Sequence, residues 1–219
     1  MPYHVKETYY TLQGEGANAG RAAVFLRFTG CNLWSGRAED RATGPGGCAR
    51  WCDTDFVGTN GPGGGRFTGA EDLAGHVAGL WGGGQSRDLR PRRKLVVCTG
   101  GEPLLQLDEP LVEALHAEGF EVAVETNGTL KPPRGLDWIC VSPKAGGELV
   151  VRAGHELKLV VPQEGIDPEA FEHLDFEHFL LQPKDGPDRE RNARHAVDYC
   201  LSRPRWRLSV QTHKYLGIA

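Results

Sequence analysis

The chain has 219 residues, with 25 basic and 29 acidic side chains and a formal net charge of −4. That length suits one domain with embellishments, spanning 1–219, and buries enough core to need no disulfide staples. The charge balance gives no bulk attraction to nucleic acid or to an anionic membrane, and apolar runs such as Ala22–Leu26 and Leu95–Cys98 are far too short to cross a bilayer. The N-terminal Met1–Lys6 stretch lacks a secretory pattern, so a soluble cytoplasmic protein is expected. The 30 glycines and 14 prolines exceed the roughly 26 of average usage, which predicts much turn and loop.

In chain order, Ala22–Phe28 reads as a strand. Ser35–Gly47 follows as a charged, Gly-rich loop insertion, and Gly58–Gly65 reads as a mobile linker. The spacing predicts a helix over Gly69–Trp81, with Thr68 as candidate N-cap and Glu71 and Asp72 in the first turn. Lys94–Cys98 is a strand, and Pro110–Gly119 a helix ending on a glycine suited to a C-terminal cap. Glu121–Val124, Trp138–Val141, Leu157–Val161 and His178–Leu181 are short β-branched strands, most of them apolar on both faces. Asp188–Ser202 carries apolar residues at helical spacing with Pro204 just beyond, and Arg207–Val210 reads as a last strand.

Strands alternating with helices predict an α/β fold with a mainly parallel sheet, whose functional groups gather at the C-terminal strand ends. Those ends are Thr99-Gly100-Gly101-Glu102, Glu125-Thr126-Asn127, Ser142-Pro143-Lys144, Gln182-Pro183-Lys184-Asp185 and Gln211-Thr212-His213. Of the six cysteines, Cys98, Cys140 and Cys200 sit inside regular elements and read as buried thiols. Cys31, Cys48 and Cys52 fall outside them. Three thiolates from one segment fit a 4Fe–4S cluster with one open iron, or a zinc site completed by a distant histidine, or unrelated thiols; spacing alone leaves all three open.

The order of motifs is more specific than any one of them. A three-cysteine loop after a strand, Trp51 before the last cysteine, and Gly100-Gly101-Glu102-Pro103 after the next strand resemble the radical S-adenosylmethionine (SAM) superfamily. Thr11-Leu12-Gln13-Gly14-Glu15-Gly16, the long gap from Cys31 to Cys48, Cys52-Asp53-Thr54-Asp55-Phe56, Glu125-Thr126-Asn127-Gly128, Ser142-Pro143-Lys144 and Gln211-Thr212-His213-Lys214 resemble, within it, the 7-carboxy-7-deazaguanine synthase family, end to end. One departure stands out: three residues separate Cys48 from Cys52 where two are usual.

The resemblance implies an incomplete parallel β/α barrel of the radical SAM type. It implies that Cys31, Cys48 and Cys52 hold a 4Fe–4S cluster and that Thr54 binds Mg²⁺. SAM would meet Trp51, Cys52, Asp53, Gly101, Glu102, Glu125, Asn127, Ser142, Pro143, Lys144, Gln182, Pro183, Lys184 and Asp185. A pterin substrate, 6-carboxy-5,6,7,8-tetrahydropterin, would meet Leu12, Gln13, Gly14, Glu15, Arg27, Thr99, His213 and the terminal Ala219. It also implies a homodimer, an electron donor such as flavodoxin or ferredoxin, and a route to 7-deazapurines such as queuosine. The alternatives are a radical SAM enzyme that activates a glycyl-radical partner and a non-enzymatic, zinc-stabilised binding module.

Overall fold

The computed structural model describes residues 2–44, 47–82 and 94–218. Among these residues, nine strands form one sheet in the order β3-β1-β2-β4-β5-β6-β7-β8-β9. They are β1 (Tyr3–Leu12), β2 (Ala22–Phe28), β3 (Gly65–Phe67), β4 (Lys94–Gly100), β5 (Phe120–Thr126), β6 (Trp138–Val141), β7 (Ala153–Val161), β8 (Asp175–Pro183) and β9 (Trp206–Leu208). From β2 through β9, leaving out β3, every neighbouring pair is parallel, whereas β1 is antiparallel to β2 and to β3. β3 and β9 are the two edges, so the expected parallel β/α barrel is present in its partial, unclosed form.

Side-chain alternation along each strand separates an outer from an inner face. On the outside, Val24, Leu26 and Phe28 of β2, Val96 and Cys98 of β4 and Val122 and Val124 of β5 form one core with the helices α1 (Ala70–Leu80) and α2 (Glu109–Ala117). A second core joins Leu157, Leu159 and Val161 of β7 and Phe179 and Leu181 of β8 to Ala196 of α3 (Arg189–Ser202) and to Trp206. α1 buries Ala70, Leu73, Ala74 and Val77, the i, i+3, i+4, i+7 stripe that a sheet-packed helix needs. On the inside, Ala23, Leu95, Val97 and Ala123 plug the base of the half-barrel. The next inward layer, toward the C-terminal ends, is polar: Arg27, Thr99, Glu125, Ser142, Lys158 and Gln182 line an open cavity.

The structure corrects three local expectations. Gly58–Gly65 is not a free linker: Thr8 N–H donates to the Pro62 carbonyl at 2.8 Å, Gly61 N–H donates to the Lys6 carbonyl at 3.0 Å, and the segment runs directly into β3. Its glycines permit this approach, because a Cβ at Gly64 would run into the Lys6 carbonyl. The N-cap of α1 is Gly69 rather than Thr68, whose N–H and hydroxyl instead donate to Asp72. The final polar segment is not a strand end but a short helix, α4 (Thr212–Leu216), closed by Gly217 at φ 65°.

Candidate active site

The cavity, about 1020 Å³, opens at the C-terminal ends of the parallel strands. That volume lies at the upper end of the range for small-molecule sites, enough for two ligands side by side. Cys31, Cys48 and Cys52 all line one wall of it.

Several contacts fix that wall. Cys48 stands in a 3₁₀ turn, Gly47–Arg50, and Cys52 N–H donates to the Cys48 carbonyl at 2.7 Å. The three intervening residues therefore make a single helical turn, so the unusual spacing puts both thiols on one side of it. Gly47 N–H donates to the Ala145 carbonyl, which ties the turn to the loop after β6. A small core of Trp34, Ala49 and Phe56 packs beneath Cys31 and Cys52, with the Trp34 and Phe56 rings edge to face at 5.7 Å. The 35–47 insertion joins this core through Arg41, whose guanidinium lies 4.8 Å over the Trp34 ring and donates to the Ala49 and Cys52 carbonyls.

At the end of β4, Gly101 lies against Gly30 and Cys31, where a Cβ would overlap the Gly30 carbonyl oxygen, and Glu102 N–H donates to that carbonyl at 2.9 Å. Burial pushes the Cys48 thiol up to about 11. Lys144 acts against this, while Cys52 and Cys31 add to it. Among the described residues, no group of three or more His, Cys, Asp or Glu side chains closes tightly enough to hold a single ion. A four-iron cube takes each cysteine on a different iron, so a looser triangle of thiols around a cavity wall with one side open suits it.

The opposite end of the cavity holds a charged network. Lys158 of β7, 3% exposed at its side chain, donates to Glu15 at 2.5 Å and to Glu125 of β5 at 2.8 Å. Gln13 donates to the other Glu125 oxygen and Gln211 to the other Glu15 oxygen. Burial disfavours an ionised Glu15, but Lys158 outweighs it and, with bonds from Gln211 and Gln182, holds the carboxyl down at about 2. Arg27 lies in this half too, with Nε donating to Glu7 at 2.8 Å. α4 adds His213 and Lys214 to the lining: His213 packs over Gly14, and Lys214 Nζ donates both to Asp53 at 2.8 Å and to Asp185 at 2.7 Å.

The chain is 62% identical over 218 residues to 7-carboxy-7-deazaguanine synthase of Bordetella pertussis and 62% identical to that of Caulobacter vibrioides, each alignment covering the whole of both proteins. It belongs to the 7-carboxy-7-deazaguanine synthase family. The synthase of Bacteroides thetaiotaomicron is 36% identical, again over both full lengths. The crystal structure of QueE from Escherichia coli superposes with a TM-score of 0.68 at 30% identity, covering 96% of this chain and 94% of that one. No protein-family model matches.

Most of the residues that the family resemblance implies line the cavity together. These are Leu12, Gln13, Gly14, Glu15, Arg27, Thr54, Thr99, Gly101, Glu125, Asn127, Ser142, Lys144, Gln182, Pro183, Lys184, Asp185 and His213, with Trp51, Asp53 and the three cysteines. Two are not among its lining residues. Glu102 is fully buried, and its carboxylate already accepts from Thr126 Oγ1 at 2.7 Å, Asn127 N–H at 2.8 Å and Leu104 N–H at 3.0 Å. Pro143 is buried beside Gln163, which donates to its carbonyl. Ala219 lies outside the described residues. Sequence reading missed Lys158, although a lysine between Leu157 and Leu159 in a strand is itself a signal, because period-2 alternation turns it to the face opposite its apolar neighbours. Tyr9, Phe25 and Lys214 also line the cavity unannounced.

Proposed function

We propose that this chain converts 6-carboxy-5,6,7,8-tetrahydropterin to 7-carboxy-7-deazaguanine and ammonia as a radical SAM lyase of 7-deazapurine biosynthesis. The observation that carries the reading is the pairing, across one cavity, of a three-cysteine wall with a polar wall of charged and amide side chains. Cys31, Cys48 and Cys52 would hold three irons of a 4Fe–4S cluster and leave the fourth facing the cavity. Bound there with SAM, a reduced cluster would supply one-electron chemistry, the homolytic cleavage of the C5′–S bond that makes removal of a hydrogen atom from C6 of the pterin possible.

The chain's own residues bind, orient and exclude water. The main chain at Gly101, which lies against Cys31, would supply an acceptor for the SAM amino group, while the Glu102 carboxylate accepts from Thr126, Asn127 and Leu104. Asn127, Ser142, Lys144 and Gln182 through Asp185 line the path along which the SAM ribose, adenine and carboxylate would run. Glu15 supplies acceptors for the amide and amidine N–H groups of a pterin, and Arg27 a forked donor for its carboxylate. Thr54 offers a hard oxygen to Mg²⁺ between Asp53 and Asp55, whose carboxylates are engaged by Lys214 and Lys6. A homodimer and a flavodoxin- or ferredoxin-like electron donor complete the reading. Among the described residues, no helix is long and apolar enough to cross a membrane.

The test is anaerobic incubation of the reconstituted, reduced protein with SAM, Mg²⁺ and the tetrahydropterin. Formation of 7-carboxy-7-deazaguanine is expected. Deoxyadenosine formed without consumption of the pterin would count against the synthase reading, and a colourless protein holding zinc would favour a binding module.

A further inference from the structure

We propose that Lys158 is a positioning residue for the substrate: a single buried ammonium group that lets Glu15 and Glu125 face one cavity as two ionised carboxylates. The inference rests on the synthase reading, since it concerns how the pterin end of that cavity is kept ready.

Two carboxylates in one half-buried site repel, and the usual resolution is that one of them keeps a proton. A protonated carboxyl is a donor at one oxygen, and it then meets the N–H edge of a pterin with the wrong polarity. Here Lys158 bridges the pair, at 2.5 Å from Glu15 and 2.8 Å from Glu125. The remaining oxygens accept from the side-chain amides of Gln211 and Gln13, so each carboxylate is held from both sides. The network draws on the loop after β1, on β5, on β7 and on the segment entering α4. The network so centred on Lys158 joins groups as far apart in sequence as Glu15 and Gln211.

The charged and titratable groups facing Lys158 are Glu15 and Glu125, Glu156 two residues earlier on β7, Cys140 of β6 and Lys144 beyond it. Gln182 faces Glu15 from β8, and His213 of α4 packs over Gly14. Glu156 is itself engaged, accepting from Trp138 Nε1. Among the described residues Lys158 is the cation that bonds both carboxylates, and Lys144 donates instead to Ser142.

The test is calorimetric binding of the tetrahydropterin to the cluster- and SAM-loaded protein without reductant, between about pH 6.5 and 8.5, in two buffers of different ionisation enthalpy. Wild-type protein should bind with little proton exchange. Lys158→Met should bind at least about tenfold more weakly near neutral pH, regain affinity toward high pH, and release up to about one proton on binding, which is a slope of about tenfold per pH unit. Lys158→Arg, which keeps the charge, should bind without proton release, and it carries the test if Lys158→Met does not fold. A Lys158→Met protein with wild-type affinity, or weakened equally at every pH, overturns the role of Lys158 and leaves the synthase reading standing, as does proton release by Lys158→Arg. Wild-type protein that binds no pterin overturns the reading itself, and this inference with it.

Discussion

Gly101 and Cys31 are in direct contact across two strand ends: a Cβ placed on Gly101 would sit 2.7 Å from the Cys31 Cβ and overlap the Gly30 carbonyl. The glycine is what lets β4 press its main chain against the cysteine wall. Gly101→Ala should push the two apart at a cost of about 1–3 kcal/mol. Iron and sulfide per chain after reconstitution should fall, while far-ultraviolet circular dichroism stays that of the wild type. Full cluster content in this variant would contradict the contact.

Glu102 acts as a tie between strand ends. Its carboxylate accepts from β5 at Thr126, from the Asn127 main chain and from Leu104, and it is fully buried. Glu102→Ala leaves three buried donors unpaired, a loss of about 3 kcal/mol or more. For a chain of this size that lowers Tm by about 6–12 °C. Differential scanning calorimetry of the cluster-free protein checks it, and a shift of a degree or less would show that the carboxylate is dispensable to the fold.

Arg41 fastens the insertion to the cysteine loop through two carbonyls and the Trp34 ring. Arg41→Ala should release iron to a chelator several-fold faster than wild type. Unchanged release kinetics would mean that the insertion neither shields nor braces the cluster.

The Glu15–Lys158 pair has a signed pH dependence. Glu15 titrates at about 2 in the folded chain against an ordinary 4.5, so its contribution to stability is complete above about pH 4.5 and is lost as pH falls from there toward 2. The Tm difference between wild type and Glu15→Gln should therefore be largest near neutrality and shrink through that window. A difference that stays constant with pH would remove the electrostatic explanation.

Thr54→Ala should abolish stimulation of turnover by added Mg²⁺, whereas Thr54→Ser, which keeps the hydroxyl oxygen, should retain it. Equal stimulation of both variants would take Thr54 out of the metal's coordination sphere.

Most of the parallel strands were legible because they are short, largely apolar and largely buried runs; Ala22–Phe28 and Trp138–Val141 hold to the residue. β1 was not, for two physical reasons. A register shift between Val5 and Glu7 breaks its alternation, and Lys6 is buried, with its charge met by Asp55 and its remaining donors by the Val57 carbonyl and Asn60. β3 was hidden because only three residues, one of them glycine, pair with β1. Placement in the cavity was legible at several strand ends, as at Thr99, Glu125 and Ser142. It was not legible at Glu102, which follows β4 but is buried among its own donors outside the lining, or at Lys158, which looks like part of a strand core but faces the cavity. Distinguishing these needs the partner groups, and those come from elements distant in sequence.

The most direct measurement counts iron and sulfide in anaerobically reconstituted protein, wild type beside Cys31→Ala, Cys48→Ala and Cys52→Ala. About four of each per wild-type chain, collapsing in all three variants but not in Cys98→Ala, is the predicted result. Undiminished iron in any of the three, or wild-type chains that take up zinc and no sulfide, would contradict it.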